Sequence, residues 1–423
     1  MIPLALDDVA RLCAGDLRAR DDARELTGVQ IDSRRIAPGD LFVAVGGGTA
    51  FLGDSFARGA AATLVPDDAF AALAALGRAV RERSDARFVG ITGSSGKTST
   101  KDILLALCRN RARTIANERS YNAELGVPLT ICRVERDTEV CILELAMRGL
   151  GQIAELCEIA RPDVGVVTNV GPAHLELVGS LENVARAKRE LVDALPPQGV
   201  AVVPVDFECR ADVDVRRVDP RALLAFEPRD TGSRGVFDVG GRVVELELSF
   251  TARHQALNAL TGLHTYDALG LPLDSLTRLD VEFSAWRGEE TPLPGDGLLI
   301  NDCYNANPAS MHAALVHLAE RAGGRRLVAV LGDMAELGSA GPSYHAEIGR
   351  AAAELGVAAI LAVGDLARGY LEGGVVDVRW AASAAEAVAA AEALVEPGDA
   401  VLVKGSRAVG LELVAEALAM VTV

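Results

Sequence analysis

Phe88-Val89-Gly90-Ile91-Thr92-Gly93-Ser94-Ser95-Gly96-Lys97-Thr98-Ser99-Thr100 runs from an apolar segment, through a turn built on Gly93 and Gly96, into an apolar-periodic stretch at 103–108. That order predicts strand, phosphate loop and helix. Glycines let successive backbone N–H groups curl around phosphate oxygens, and the helix N-terminus adds free N–H groups and partial positive charge. Lys97 would reach the terminal phosphates, and the Thr98 hydroxyl would ligate a magnesium ion. Ile91 stands where the general G-x-x-x-x-G-K-[ST] signature has its first glycine, so the loop is a compact T-G-S-S-G-K-T. An ordinary strand-to-helix turn also contains Gly, Ser and Lys. The required order of all the parts favours the phosphate loop.

The chain around it has 423 residues, room for about three domains. Half the residues are hydrophobic and only 4% aromatic, which fits Ala-, Val- and Leu-rich helices on parallel strands. A net charge of −17 argues against nucleic acid as the main partner and leaves an anionic small substrate open. The seven cysteines (13, 108, 132, 141, 157, 209 and 303) form no C-x-x-C pair and lie mostly in apolar runs. They read as reduced core residues, with a cytoplasmic location expected. Asp7 and Asp8 near the start, without a basic region, speak against a signal peptide. No apolar run approaches the ~18 residues of a membrane span.

The pattern predicts an α/β protein of three domains. Residues 1–85 form a small mixed α/β region, 86–292 a central domain with a mostly parallel sheet of the phosphate-loop type, and 293–423 a Rossmann-like domain. In the first, 29–45 reads as strand, polar turn and strand, with Pro38-Gly39 as a turn signal. Ser33 and Arg34 suit an anionic group there, and suit a solvated surface turn at least as well. An Ala-rich helix is expected at 68–83.

In the central region, Val140-Cys141-Ile142-Leu143-Glu144-Leu145-Ala146 is a buried-strand pattern broken by one acid. A carboxylate ending such a strand near a phosphate loop suits a magnesium ligand, or is a charge just outside the sheet. A second strand at 163–169 leads to His174, near the strand end where α/β sheets collect ligands. A lone histidine is, however, more often structural. The helix expected at 180–195 has Ser180 as N-cap and an apolar stripe of Leu181, Val184, Ala185, Leu191, Val192 and Leu195. Lys188 falls inside that stripe, so helix geometry aims it toward the buried side. It either snorkels to the edge or has a special task. Strands follow at 205–250, then a helix from 253, and 283–294 reads as a linker with Pro292 and Pro294. Beyond it, strands are expected at 298–300, 327–331, 358–363, 375–380 and 400–403, with crossover helices between them. Asn307 caps a helix that Pro308 opens.

The compact loop resembles that of the Mur ligases of peptidoglycan synthesis, which also lacks the first glycine. The resemblance covers essentially the whole chain and is closest to the branch that adds D-alanyl-D-alanine. Asp32-Ser33-Arg34 with Pro38-Gly39-Asp40-Leu41-Phe42 resembles the uridine-nucleotide-binding domain of the last two ligases. Tyr121-Asn122-Ala123-Glu124-Leu125-Gly126-Val127-Pro128 resembles their N-N-E-x-G-V-P. Asp302 to Pro308, with Ser310-Met311, resembles D-x-Y-N-A-N-P-x-S-M. Gly332-Asp333-Met334-Ala335-Glu336-Leu337-Gly338 and Lys404-Gly405-Ser406-Arg407 resemble third-domain motifs. The D-N-P-R motif of many diaminopimelate-adding ligases is missing, and residues 46–56 lack the Arg and His usual in the first domain.

The resemblance implies an ADP-forming ligase whose substrates are ATP, UDP-N-acetylmuramoyl-tripeptide and D-alanyl-D-alanine, working through an acyl phosphate. It implies phosphate contacts from Gly93, Ser94, Ser95, Gly96, Lys97, Thr98 and Ser99. Two magnesium sites follow, one at Thr98 and Glu144, the other at His174 and a carbamylated Lys188. His254 and Asn258 would lie at the adenine. Arg287, Asp302, Tyr304 and Asn305 would close on the nucleotide from the hinge and third domain. Ser33, Arg34, Asn122 and Glu124 would meet the substrate. A monomer is expected. A relative adding diaminopimelate, lysine or glutamate (the folylpolyglutamate type) remains open, as does a nucleotide-hydrolysing switch.

Overall fold

The computed structural model describes residues 1–118, 121–375 and 377–420. Its central feature is a six-stranded sheet in the order Asp214–Val218, Val200–Pro204, Val164–Val167, Arg87–Thr92, Val140–Glu144, Thr114–Ala116. Every pairing in it is parallel. Parallel strands end on one edge, so Thr92, Glu144 and Val167 deliver their following loops to the same place. The strand Arg87–Thr92 is buried after its first residue. The helix Lys97–Cys108 leaves it and packs on the long helix Arg253–Ala268. The strand-rich excursion is an antiparallel unit, Leu223–Pro228, Ser233–Val239 and Arg242–Leu248, extended by Arg278–Leu279 in parallel. Its Phe237 and Leu246 share a core with Val89 and Ile91 of the central sheet.

The first domain holds a four-stranded sheet, Gly15–Ala19, Ala62–Pro66, Asp40–Val43, Gly28–Gln30. Gly28–Gln30 and Asp40–Val43 pair in parallel, separated by a short 3₁₀ turn at Ser33–Arg35. The helix Ala69–Glu82 is capped by Asp68, whose carboxylate accepts from the N–H groups of Phe70 and Ala71. Its Leu73, Leu76 and Val80 join Val127 and Ile159 of the central domain in one apolar core. The first domain is therefore fastened to the second by hydrophobic burial, the dominant favourable term in such contacts.

The third domain's sheet runs Glu289–Leu293, Gly297–Asn301, Ala400–Lys404, Leu327–Gly332, Val357–Val363, Asp377–Ala381. Of the expected strand at 375–380, Val376 lies outside the described residues, as do 421–423. The 283–294 stretch read as a linker is corrected here: Glu289–Leu293 is an antiparallel edge strand paired with Gly297–Asn301. An edge tolerates Pro292, which cannot donate to a ladder, so the proline misled the linear reading. A second correction concerns Leu181, which is exposed because it opens the helix Leu181–Asp193 beyond the packed face. All seven cysteines are free, and all but Cys209 are buried.

Candidate active site

At the carboxyl edge of the central sheet the chain turns sharply. Gly93 and Gly96 have φ of 151° and 77°, values side chains rarely adopt. A Cβ on Gly93 would sit 1.8 Å from Thr168 Oγ1, and one on Gly96 would sit 2.6 Å from Asn258 Oδ1. Asn258 therefore lies against the phosphate loop. The loop is held from the neighbouring strand. Ser94 N–H donates to the Asn169 carbonyl (3.1 Å), Ser95 N–H to Asn169 Oδ1 (3.0 Å), and Thr168 Oγ1 to the Ser95 carbonyl (2.6 Å). Lys97 Nζ donates back to the Gly93 carbonyl at 2.8 Å. Burial pushes the Lys97 ammonium toward its neutral form; the Glu144 carboxylate opposes that, and Arg287 adds to it.

Glu144 is buried at 3% exposure, and its contacts are specific. Thr98 Oγ1 donates to Oε2 at 2.7 Å, Asn122 Nδ2 to Oε1 at 2.9 Å, and the Glu144 N–H to Asn117 Oδ1 at 2.6 Å. A pre-oriented carboxylate beside a threonine hydroxyl, next to a phosphate cradle, is a hard-oxygen donor set. It fits magnesium, which takes one or two carboxylates and fills its remaining positions with phosphate oxygens and water. Arg287 Nη2 donates to Thr98 Oγ1 at 2.9 Å, and its guanidinium lies 4.2 Å from the Tyr304 ring centroid.

The third domain faces this edge. Asn307 Nδ2 donates to the Ser94 carbonyl at 3.1 Å. Lys404 Nζ is buried and ties down the motif beside it, donating to Asp302 Oδ2 (2.6 Å) and the Asn305 carbonyl (2.9 Å). Between the domains lies a cavity of about 1280 Å³. Of the residues singled out in the sequence, Ser94 to Ser99, Asn122, Glu124, Glu144, His174, His254, Asn258, Arg287, Asp302, Tyr304 and Asn305 line it. Burial brings the His254 imidazole down to about 4, so the ring is neutral.

Four of the singled-out residues do not line this cavity. Gly93 is covered by Thr168. Ser33 is buried under its turn, while Arg34 is exposed and paired with Asp32 at 2.7 Å. Lys188 sits at 1% exposure in a stripe with Val184, Ala187, Leu191 and Val192. Burial, with the Lys97 charge adding to it, pulls the Lys188 amine from 10.5 to about 7. An ammonium cannot ligate a cation, so Lys188 fits a metal only after its neutral amine has become an anion. His174 has φ 57° and contacts Glu336 through Nδ1. Burial first, then Lys97, lowers its pKa.

Sequence reasoning singled out no role here for Asn117, Thr168, Asn169, Asn307 or Glu336. The available signal was polar residues directly after buried strands, as in Val167-Thr168-Asn169.

The Mur ligase middle domain family matches residues 91–265, and the Mur ligase glutamate ligase domain family matches 287–407. A UDP-N-acetylmuramoyl-tripeptide–D-alanyl-D-alanine ligase of Mycobacterium tuberculosis (strain ATCC 25618 / H37Rv) is 34% identical over 99% of this chain and 98% of its own length. A crystal structure of MurF from Acinetobacter baumannii superposes with a TM-score of 0.85 at 27% identity, covering 98% of this chain and 99% of that one. MurF from Thermotoga maritima in complex with ADP gives 0.81 at 26% identity, covering 93% and 97%. Whole-length likeness in sequence and in fold has one reading: the chain belongs to the Mur ligase family, among its UDP-N-acetylmuramoyl-tripeptide–D-alanyl-D-alanine ligases.

Proposed function

We propose that this chain joins D-alanyl-D-alanine to UDP-N-acetylmuramoyl-tripeptide at the expense of ATP, in peptidoglycan precursor synthesis, and that the cavity at the sheet edge is where it does so. A terminal carboxylate oxygen of the tripeptide attacks the γ-phosphorus, the bond to the bridging oxygen breaks, and ADP leaves. The dipeptide amine then attacks the acyl carbon and loses a proton. The tetrahedral intermediate collapses by breaking the C–O bond, and phosphate departs. No side chain need act as nucleophile; the work is positioning and charge compensation.

The N–H groups of residues 96–99, at the open start of the helix, take the phosphates, while Gly93, Ser94 and Ser95 form the loop that Asn169 holds in place. Lys97 releases the Gly93 carbonyl to meet the γ-phosphate. Thr98 and Glu144 would hold one magnesium ion, and His174 with a carbamylated Lys188 a second; bound there, magnesium supplies positive charge where phosphate charge moves. For the carbamate, the neutral Nζ attacks the carbon of CO₂, an N–C bond forms, and a proton goes to solvent. His254 and Asn258 take the adenine side. Arg287 from the hinge, with Asp302, Tyr304 and Asn305 from the third domain, closes on the nucleotide and keeps water from the acyl phosphate. Asn122 and Glu124 contact the muramoyl-peptide. The chain acts as a cytoplasmic monomer, with divisions near residue 85 and ahead of the edge strand Glu289–Leu293.

What carries this reading is the convergence of phosphate loop, Thr98–Glu144 pair and third-domain residues on one cavity. The full-length match to D-alanyl-D-alanine-adding relatives supports the choice of amine. The test is isotopic. With ¹⁸O in the tripeptide's terminal carboxylate, one labelled oxygen should appear in inorganic phosphate for each amide formed. Unlabelled phosphate would rule out the acyl phosphate.

The first domain, by this reading, binds the uridine nucleotide through Ser33 and Arg34. Arg34 is held by Asp32 at the mouth of a 3₁₀ turn, and that pair draws the Asp32 carboxyl down to about 2. Arg34→Ala should weaken UDP-substrate binding about tenfold, the scale of one charge-assisted contact, with ATP affinity unchanged. Calorimetric titration that finds equal losses for both ligands, or none, would return the turn to a surface role.

A further inference from the structure

His174 and Glu336 are two of five non-glycine residues with positive φ among those described, at 57° and 62°. Such a backbone is unfavourable for a residue with a side chain and persists only where surrounding structure enforces it. They belong to different domains, and they meet. His174 Nδ1 lies against the Glu336 carboxylate, and the Glu176 N–H donates to the Glu336 carbonyl at 3.1 Å.

The loop carrying Glu336 is fixed residue by residue where it leaves the strand Leu327–Gly332. Asp333 N–H donates to the Val363 carbonyl (3.1 Å), Met334 N–H to His345 Nε2 (2.9 Å) and Ala335 N–H to Ser406 Oγ (2.9 Å). His345 is itself buried and held through Nδ1 by the Gly341 carbonyl at 2.7 Å. The Asp333 carboxylate takes the Ala367 N–H at 2.7 Å. So much anchoring around a left-handed residue serves one visible end, a single carboxylate presented across the domain boundary.

We propose that Glu336 is a positioning residue. The third domain supplies the carboxylate that fixes the tautomer and ring plane of His174, so the central-domain site is complete only while the domains are together. A carboxylate that accepts Nδ1–H leaves the Nε2 lone pair available on a residue that lines the cavity, the arrangement by which a distant acid governs what an imidazole can hold. Domain closure is thereby coupled to the reacting centre through one contact. The inference rests on the reading of His174 as part of the acyl-transfer site.

The test combines rate with spectroscopy. Partners of this kind are worth about 10–100-fold, so Glu336→Ala should lower kcat by that factor with the KM for ATP unchanged. Glu336→Gln, whose amide oxygen still accepts from Nδ1–H, should recover most of the rate. In ¹⁵N-histidine spectra of the full chain with MgADP, assigned through His174→Ala, the parent and Glu336→Gln should show His174 protonated on Nδ1. Glu336→Ala should lose that preference. An unchanged His174 signal and rate in Glu336→Ala, with His174→Ala inactive, would overturn this inference alone. Normal ligation by His174→Ala would overturn the parent reading as well.

Discussion

Lys188→Ala is expected to abolish ligation, on the order of 10³-fold or more, while fold and nucleotide binding survive. A lysine at 1% exposure among Val184, Leu191 and Val192 gives up hydration that an ordinary surface lysine keeps. Burial and the Lys97 charge bring its pKa to about 7, so near neutrality a large fraction is free amine, the form that captures CO₂. The carbamate is an anion with two hard oxygens on a long arm. Acetate or propionate should therefore restore part of the activity of Lys188→Ala. A snorkelling salt-bridge lysine would show mild loss and no rescue, and full activity of the variant would remove Lys188 from the site.

The pH dependence has a definite sign. Below about pH 7 the amine is protonated, so ligation in CO₂-depleted buffer should fall more steeply on acidification than in bicarbonate. In the uncarbamylated protein, the unfolded chain binds the extra proton between about 7 and 10.5. Stability from this group therefore rises with pH through that window, and the rise should vanish in Lys188→Ala. Thermal unfolding at several pH values, without CO₂, reads it directly.

Lys97→Ala should lose about 10²–10³-fold in turnover, the scale of one preorganised stabiliser of transferring charge. Lys97 opens a helix, where alanine is well tolerated, and its Nζ donates to the Gly93 carbonyl at 2.8 Å. Folding should be nearly unchanged. A second consequence separates this variant from a merely damaged one. The Lys97 charge helps to hold the Lys188 amine down, so its removal should raise the Lys188 pKa and increase the demand for CO₂. Near-normal turnover would contradict the phosphate-loop assignment.

Local chemistry made much of this molecule legible in its sequence. The order of apolar run, glycines, Lys-Thr and apolar stretch marks strand, tight turn and helix, and Arg87–Thr92, the turn at Gly93 and Gly96, and Lys97–Cys108 follow it. Lys188 stood out because helix periodicity places it on the buried face, and it is buried. Other features were hidden because they arise from tertiary proximity. Asn169 holds the phosphate loop from a neighbouring strand, and Asn307 reaches Ser94 from another domain. Glu336 meets His174 across 162 positions of chain. The edge strand Glu289–Leu293 was hidden by Pro292, a residue that edges accept and interiors do not. Leu181 misled for the opposite reason: its spacing fits the stripe, but helix ends extend past the core they pack on.

The most direct measurement is ADP release with UDP-N-acetylmuramoyl-tripeptide and D-alanyl-D-alanine, offered separately and together, with product mass read in parallel. Sustained release is expected only with both, one ADP for each UDP-muramoyl-pentapeptide formed. ADP release indifferent to both substrates, or a preference for free diaminopimelate, lysine or glutamate as the amine, would contradict the proposed ligation.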